Sequence, residues 1–215
     1  MTTGTDAGEP RARRRTRANG EQSRERILDA ATEVATERGY EGTTISLVSK
    51  KSGLPPTSIY WHFTDKDDLI AAVIERSFGR WLAALELPGE PMVRERVVDL
   101  GTQVAKALLD APDFIRLGLM LALERRPVEP RAREMFLEVR DRAFHRFETI
   151  VRDVAPDLDE DSVRLLTTYA IAGADGLFIA KEVGGDSVDL IKLFELHARL
   201  VFDSATQLLG SGDLT

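Results

Sequence analysis

The sequence contains no cysteine, so the chain forms no disulfide and no thiolate metal site, and it has no cysteine nucleophile. Histidine is scarce as well, because only His62, His145 and His197 occur. The sequence also lacks a phosphate-binding loop, a nucleophile elbow and a paired-histidine zinc motif. We therefore expect no metal and no cofactor. An enzyme is the less favoured class, and a small helical enzyme is kept as an alternative.

Long apolar runs are missing too. The N-terminus is rich in arginine and lacks the apolar segment of a signal peptide. The longest apolar-rich stretch, residues 163–180, contains Arg164, Asp175 and two threonines, which argues against a membrane span. The absence of cysteine fits a reducing compartment. We expect a cytoplasmic protein with no membrane partner.

Acidic residues outnumber basic ones, and the formal net charge is -7. Residues 1–66 hold 11 Lys and Arg against 9 Asp and Glu, whereas residues 67–215 hold 18 against 27. The basic charge is densest in the N-terminal residues Arg11, Arg13, Arg14, Arg15 and Arg17. This distribution indicates that one end of the protein faces a polyanion. A solvated basic tail is the other interpretation.

The first 40 residues divide into an arm and a helix. Residues 1–20 show no periodicity and predict a disordered basic arm. Apolar residues on one face of 27–35 predict a helix. Ser23 is the expected N-cap of this helix, and Gly39 is its expected C-terminal stop.

Two short helices and a longer one follow. Thr44 is the expected N-cap of the first, Gly53 ends it, and Pro56 lies in the first turn of the second. Neither short helix is stable alone, so both must pack on their neighbours. Asp65 is then placed to cap the longer helix. Residues 44–63 therefore have the layout of a helix-turn-helix, whose second helix enters the major groove of DNA.

The outer face of that second helix carries hydroxyl and aromatic groups. Such groups contact base edges, the thymine methyl group and phosphates. The residues on this face are Pro56, Thr57, Ser58, Trp61 and His62. Phe63 has the spacing of a core residue instead.

The rest of the chain predicts a separate helical body. The break at residues 87–91 is the expected domain boundary, which leaves a connecting helix over 67–86. Because no segment alternates with period two, the predicted fold class is all-α. Further helices are expected at about 91–110, 113–124, 130–154, 159–182 and 187–209.

The motif resembles the DNA-binding domain of the tetracycline repressor (TetR) family over roughly residues 23–75. The resemblance rests on many positions at once: Thr44, Gly53-Leu54, Tyr60-Trp61-His62-Phe63, Lys66 and the Gly39-Tyr40 helix ending. The chain departs from the family pattern at Ser49 and Ser52, where small alanines are usual. It also departs at Pro55, where a capping hydroxyl is usual.

The resemblance implies roles for the matched positions. Thr44, Tyr60, His62 and Lys66 are expected to contact phosphates, and Pro56, Thr57, Ser58 and Trp61 to lie on or near bases. Arg13, Arg14 and Arg15 of the arm are expected to reach the adjacent minor groove or backbone. The implied function is a repressor that binds a palindromic double-stranded DNA operator as a homodimer and is released by a small effector. A transcriptional activator of the same fold and a helical adaptor that does not bind DNA are the alternatives.

The last two predicted helices favour a dimer. The final helix has a heptad seam, and the helix before it is apolar nearly all round, which is typical of a helix buried on every side. Two such helices from each chain would form a four-helix interface. A monomer that buries both helices internally is the alternative. The seam consists of Ile191, Phe194, Ala198, Val201, Ala205 and Leu208.

The body, residues 87–215, together with the connecting helix, also predicts a ligand pocket. Apolar pockets form between the helices of bundles, and the connecting helix joins the two domains. We expect a small apolar or amphipathic effector to move that helix and so change the separation of the recognition helices. For each candidate, core packing is the first interpretation. The candidates are Phe78, Trp81, Phe114, Leu117, Met120, Leu121, Phe144, Phe147 and Asp175.

Overall fold

The structure is a computed structural model that describes residues 11–86, 93–124 and 127–211, with side chains described over 19–86, 93–124 and 127–209. Within these ranges the chain forms nine α-helices and no strand, so the predicted all-α class is confirmed. The predicted boundary at residues 87–91 lies outside the described residues. The helices are α1 (Arg11–Gly42), α2 (Ile45–Ser52), α3 (Pro56–His62), α4 (Lys66–Ala83), α5 (Arg94–Asp110), α6 (Asp113–Leu123), α7 (Arg131–Val154), α8 (Glu160–Gly184) and α9 (Leu190–Ser211).

Helix α1 is longer than the sequence predicted. It begins at Arg11, so the second half of the predicted disordered arm is helical, which agrees with the high helix propensity of alanine and arginine. Ser23 is not an N-cap, because it lies inside α1 and its hydroxyl donates to the Asn19 carbonyl at 2.9 Å. The regular helix breaks at Gly39, as predicted, where φ is 68°.

Helix α4 joins the first three helices to the rest of the chain. Its N-cap is Asp65, as predicted, and the Asp65 carboxylate accepts the Asp68 amide at 2.9 Å. In return the Asp68 carboxylate accepts the Thr64 amide at 3.0 Å. Most of the apolar side chains of α4 are buried, because the helix packs against α1, α6 and α7.

The described residues of the two halves share one hydrophobic core. It extends without a break from Ile27 in α1, through Ile70 and Phe78 in α4, to Phe136 in α7 and Phe194 in α9. A smaller cluster forms where α7, α8 and α9 meet at their far ends. The motif is therefore fixed to the body by packed side chains over the length of α4.

Helix α8 differs from the expectation that it is buried on all sides. It buries Val163, Leu166 and Phe178 but leaves a long apolar face open, with Val183 84% exposed. The alternative in which a single chain buries its last two helices is therefore wrong for α8. By length and composition this helix would qualify as a membrane span, although one such helix is weak evidence for a membrane. The other exposed apolar residues of this face are Leu165, Tyr169 and Ile179.

Helix α9 uses its heptad seam internally. Phe194, Ala198 and Ala205 are buried, and Gly101 of α5 allows close approach, since a Cβ there would lie 2.8 Å from the Ala198 Cβ. On its other side, α9 exposes Leu196 and Leu200. The seam thus holds α9 to the chain's own body, while Leu196 and Leu200 leave apolar side chains exposed on α9 as well as on α8.

Candidate nucleic-acid interface and cavity

The first motif helix, α2, is fixed at both ends by its own sequence. The Thr44 hydroxyl accepts the Leu47 amide at 3.2 Å, which is the predicted N-cap. At the other end Gly53 adopts a left-handed conformation, with φ 68° and ψ 18°, and its amide donates to the Ser49 carbonyl. A side chain is strained in this conformation, so glycine suits the turn.

The two serines that depart from the family pattern stabilise the turn through hydrogen bonds. The Ser49 hydroxyl donates to the Leu54 carbonyl at 2.7 Å, and the Ser52 hydroxyl accepts the Leu54 amide at 3.3 Å. From α1, the Arg26 guanidinium donates to the Ser52 carbonyl at 2.8 Å. The two bonds of the serine hydroxyls satisfy polar groups of a tight turn that an alanine side chain could not reach.

The second motif helix, α3, has a buried side and an open side. Ile59 is fully buried, and Phe63, which follows the helix, is buried as predicted. No side chain caps the helix at Pro55, since proline has no hydroxyl. The open side presents Pro56, Thr57, Tyr60 and Trp61, while Ser58 and His62 are partly exposed.

Two cations, Lys66 and Arg24, lie near the end of α3, and the Arg24 guanidinium is 5.3 Å from the centre of the Phe63 ring. The Lys66 ammonium donates to the Tyr40 carbonyl at 3.2 Å and lies 4.2 Å from the centre of the Tyr40 ring. Burial, assisted by the nearby Arg24, lowers the pKa of His62 below its usual value. His62 is therefore predominantly neutral at pH 7 in the free protein.

The N-terminal part of α1 lies beside the open side of α3. Gly20 faces the Trp61 ring, because a Cβ there would lie 3.7 Å from the indole. A shallow hollow between the two helices is lined by Asn19, Gly20, Ser23, Thr57, Ser58, Trp61 and His62. The backbone of α1 continues from this hollow toward Arg11.

A three-helix junction lies behind the motif. The Asp67 carboxylate, in the first turn of α4, accepts the Tyr40 hydroxyl at 2.9 Å. The same carboxylate accepts the amides of Arg131 and Ala132, the latter at 3.1 Å. An anion at the start of α7 also interacts favourably with the helix dipole. Asp67 therefore ties α1, α4 and α7 together at one point.

A mostly apolar, partly open cavity of about 120 Å³ lies within the body. Trp81 of α4, Phe114 of α6 and Phe147 of α7 contribute aromatic rings to its wall, and α5, α8 and α9 supply the rest of the lining. The rings of Trp81 and Phe114 are 5.4 Å apart. The cavity wall thus includes side chains from the helix that leads to the motif.

Three polar groups reach the cavity wall. The Arg140 guanidinium donates two hydrogen bonds to the Asp175 carboxylate, at 2.8 and 2.6 Å. Burial raises the pKa of Asp175, and Arg140 opposes this shift. The His197 Nε2 atom lies 2.9 Å from the Ala170 carbonyl, so this nitrogen carries the proton.

Residues 27–73 match the family model described as bacterial regulatory proteins, tetR family. The N-terminal domain of this chain belongs to the TetR family. The match covers α2, α3 and the parts of α1 and α4 that pack on them.

Curated relatives resemble this TetR-family domain over a limited length. The chain is 33% identical over 85 residues to the HTH-type transcriptional regulator AcrR of Shigella flexneri, which is 37% of this chain and 39% of AcrR. It is 38% identical over 61 residues to SrpR of Pseudomonas putida, which is 28% of this chain and 29% of SrpR. The chain thus aligns with less than half the length of these relatives.

Solved structures match this chain over more of its length. A regulator from Aquifex aeolicus covers 84% of this chain and 98% of its own length, with TM-score 0.63 and 23% identity. The fatty acid degradation regulator FadR of Bacillus halodurans covers 83% and 94%, with TM-score 0.68 and 18% identity. At these identities the likeness establishes a shared fold, including the helical C-terminal body.

The structure brings most of the expected DNA-contacting residues of the TetR-family domain to one end. Thr44 lies at the start of α2, Pro56 to His62 form α3, and Lys66 begins α4. Lys66 is directed at a backbone carbonyl rather than free in solvent, so its expected phosphate contact stays a prediction. The side chains of Arg13, Arg14 and Arg15 lie outside the described residues.

The expected pocket residues divide into two groups. Trp81, Phe114, Phe147 and Asp175 lie on the cavity wall. The others do not: Phe78, Leu117 and Leu121 are buried in the core, Phe144 is only partly buried, and Met120 is half exposed beside Gly39. Sequence reasoning missed the role of Arg140. The sequence feature that could have revealed this role is the position of Arg140, a charged residue within the apolar stripe of α7 between Phe136 and Ala143.

Proposed function

We propose that this protein is a ligand-responsive DNA-binding transcriptional regulator of the cytoplasm, acting as a repressor. The observation that carries the proposal is α3, a buttressed helix whose exposed side presents Thr57, Tyr60 and Trp61 within a TetR-family domain. The name of a relative supports repression rather than activation. The HTH-type transcriptional repressor BepR of Brucella suis is 39% identical over 64 residues.

The proposed division of labour follows the fold. Residues 21–66 bind DNA, and residues 87–215 bind the effector and the second subunit. Residues 67–86 connect these two domains. Helices α8 and α9 supply the dimer contact, because their exposed apolar residues form a patch that a monomer does not normally leave in water. Two recognition helices would then face successive major grooves of a palindromic site.

The effector signal is proposed to travel through α4 and α7. Both helices contribute rings to the cavity wall, and both begin at the Asp67 junction beside the motif. A ligand that spreads the cavity wall would shift α7 and α4 relative to α1. It would weaken operator binding only by preferring that shifted arrangement.

Replacing Trp61 by Ala is expected to lower operator affinity by roughly tenfold, since one good base contact contributes about 1–3 kcal/mol. Because Trp61 is 76% exposed, the melting temperature should stay unchanged. The operator is first selected from random duplex DNA, and affinity is then measured by fluorescence anisotropy at two salt concentrations. Wild-type binding should weaken steeply with salt.

Leu123→Ala is the matched control for Trp61, because Leu123 is 78% exposed and lies far from α3 in the chain. This variant should bind the selected operator as the wild type does. If selection yields no preferred duplex, or if Trp61→Ala binds as tightly as the control, α3 is not the reading helix.

Replacing Asp67 by Ala is expected to lower the free energy of unfolding by about 1–3 kcal/mol, because three donors lose a shared carboxylate. Tyr40→Phe removes one of these bonds and should cost about 1 kcal/mol. Urea denaturation monitored by circular dichroism measures both variants. Asp153→Ala, at an exposed site on α7, is the control. Equal stability of Asp67→Ala and the control would mean that the junction does not hold the helices together.

A further inference from the structure

The charges on the cavity wall are already balanced. Arg140 and Asp175 pair through two hydrogen bonds, and the Arg140 guanidinium also lies 5.9 Å from the Phe136 ring centre. Each charge therefore has its counter-charge in place. An ionised ligand entering this apolar space would leave water without finding an unpaired opposite charge, which is costly.

Trp81 is one of the residues that line the cavity, and the donor of its indole ring is not satisfied. Trp81 is 4% exposed, and its Nε1 atom is buried without a hydrogen-bond acceptor among the described residues. An indole N–H can only donate. A buried donor with no acceptor carries a desolvation cost, and a group that accepts from it removes that cost. The polar atom that suits this place is an oxygen acceptor.

The size of the cavity limits the rest of the molecule. Its volume is about 120 Å³, and an engineered apolar cavity of roughly 150 Å³ holds a single benzene ring. The wall around the Trp81 ring is made of Phe114, Phe147, Phe178 and aliphatic side chains. This lining favours one ring or a short branched chain over a long or polar molecule.

We propose that the effector is a small, uncharged, mostly apolar molecule that carries one oxygen acceptor for the Trp81 N–H. The inference rests on the proposed function, since it names the chemistry of the ligand that the cavity would sense. Trp81 lies on α4, which leads directly to the motif. The group that recognises the ligand would thus lie on the helix that transmits its binding.

Four probes of nine non-hydrogen atoms test the proposal on the full-length protein at pH 7. Acetophenone has an uncharged acceptor, isopropylbenzene has none, benzoate is an anion, and 1-phenylethylammonium is a cation. Binding is measured by calorimetric titration. We expect wild-type protein to bind acetophenone at least tenfold more tightly than either ion. A wild-type preference for benzoate or for the ammonium ion, or no binding of acetophenone, overturns the proposal.

The variant Trp81→Phe keeps a ring and removes the donor. The ratio of isopropylbenzene to acetophenone dissociation constants should fall by about fivefold relative to wild type, the value of one neutral hydrogen bond. Phe147→Leu changes the same wall without removing a donor and should leave that ratio unchanged. An unchanged ratio in Trp81→Phe would show that the indole N–H does not receive the ligand.

The variant Asp175→Asn tests the charge argument by a gain of binding, which does not depend on the stability of the Trp81 variant. It leaves Arg140 without its counter-charge, so benzoate affinity should rise by at least tenfold. Glu182→Gln disrupts the comparable Arg116–Glu182 pair away from the cavity and should not change benzoate binding. No gain in Asp175→Asn contradicts the proposal.

Operator affinity measured with acetophenone separates this inference from the proposed function. Acetophenone could bind with the expected dependence on Trp81 and yet leave operator affinity unchanged. That result would support the proposed ligand chemistry and contradict the proposed release of DNA by the ligand. If the selected operator is bound but acetophenone is not, the DNA-binding function stands and the effector chemistry fails.

Discussion

Replacing Leu165 by Glu is expected to convert the proposed dimer into monomers and to lower operator affinity by at least 100-fold. Leu165 is 66% exposed in the single chain and lies on the apolar face of α8 with Tyr169. Burying a leucine contributes about 1.5–3 kcal/mol, and a carboxylate in its place would be buried without a partner. A two-fold interface repeats each substitution, so the cost is paid by both subunits.

The loss of affinity follows from geometry rather than from damage to α3. A monomer presents one recognition helix, whereas a palindromic operator is bound most tightly by two helices held about 34–36 Å apart. Light scattering gives the mass, and anisotropy gives the affinity. Leu123→Glu, at a similarly exposed leucine at the end of α6, should remain dimeric. A dimeric Leu165→Glu protein would exclude this face of α8 from the interface.

Replacing Gly118 by Ala is expected to lower the free energy of unfolding strongly. A Cβ at Gly118 would lie 1.9 Å from Cδ2 of Phe136, far inside van der Waals contact. Phe136 is 2% exposed and belongs to the main core, so its ring is surrounded by packed side chains. Overpacking of this kind typically costs about 1–3 kcal/mol or more.

Gly79→Ala is the matched control because Gly79 also lies within a helix, but nothing lies within 4 Å of its added Cβ. Alanine is the better helix former by about 1 kcal/mol, so this variant should be slightly more stable than wild type. The free energies of unfolding come from urea denaturation. We expect the free energy of unfolding to fall in Gly118→Ala and to rise slightly in Gly79→Ala. Equal changes in the two variants would contradict the close crossing of α6 and α7.

Local features of the fold were predictable from the sequence. Thr44, Gly53 and Asp65 were placed correctly because a cap or a left-handed turn depends on a few adjacent residues. Ser23 was placed wrongly since a serine inside a helix bonds its own preceding turn as easily as it caps a new one. The helical start at Arg11 was missed because an arginine-rich segment has no apolar periodicity to reveal it.

The two candidate sites differ in how far sequence could predict them. The outer face of α3 follows from helical spacing alone, so Thr57 and Trp61 were expected on the surface where they lie. The cavity depends on how five or more helices meet. Leu117 has the same helical spacing as the wall residues, yet it packs into the core. Arg140 and Asp175 are 35 residues apart, and only the packing of α7 on α8 brings them together.

The unbroken core between the motif and the body has a consequence for the DNA that the protein accepts. A DNA-binding motif on a flexible linker could adjust to half-sites at several spacings. A motif that shares one packed core with the proposed dimerisation body cannot. Each inserted base pair moves a half-site along the duplex and rotates it by about a tenth of a turn. Operators lengthened by one base pair at their centre should therefore be rejected, however well each half matches.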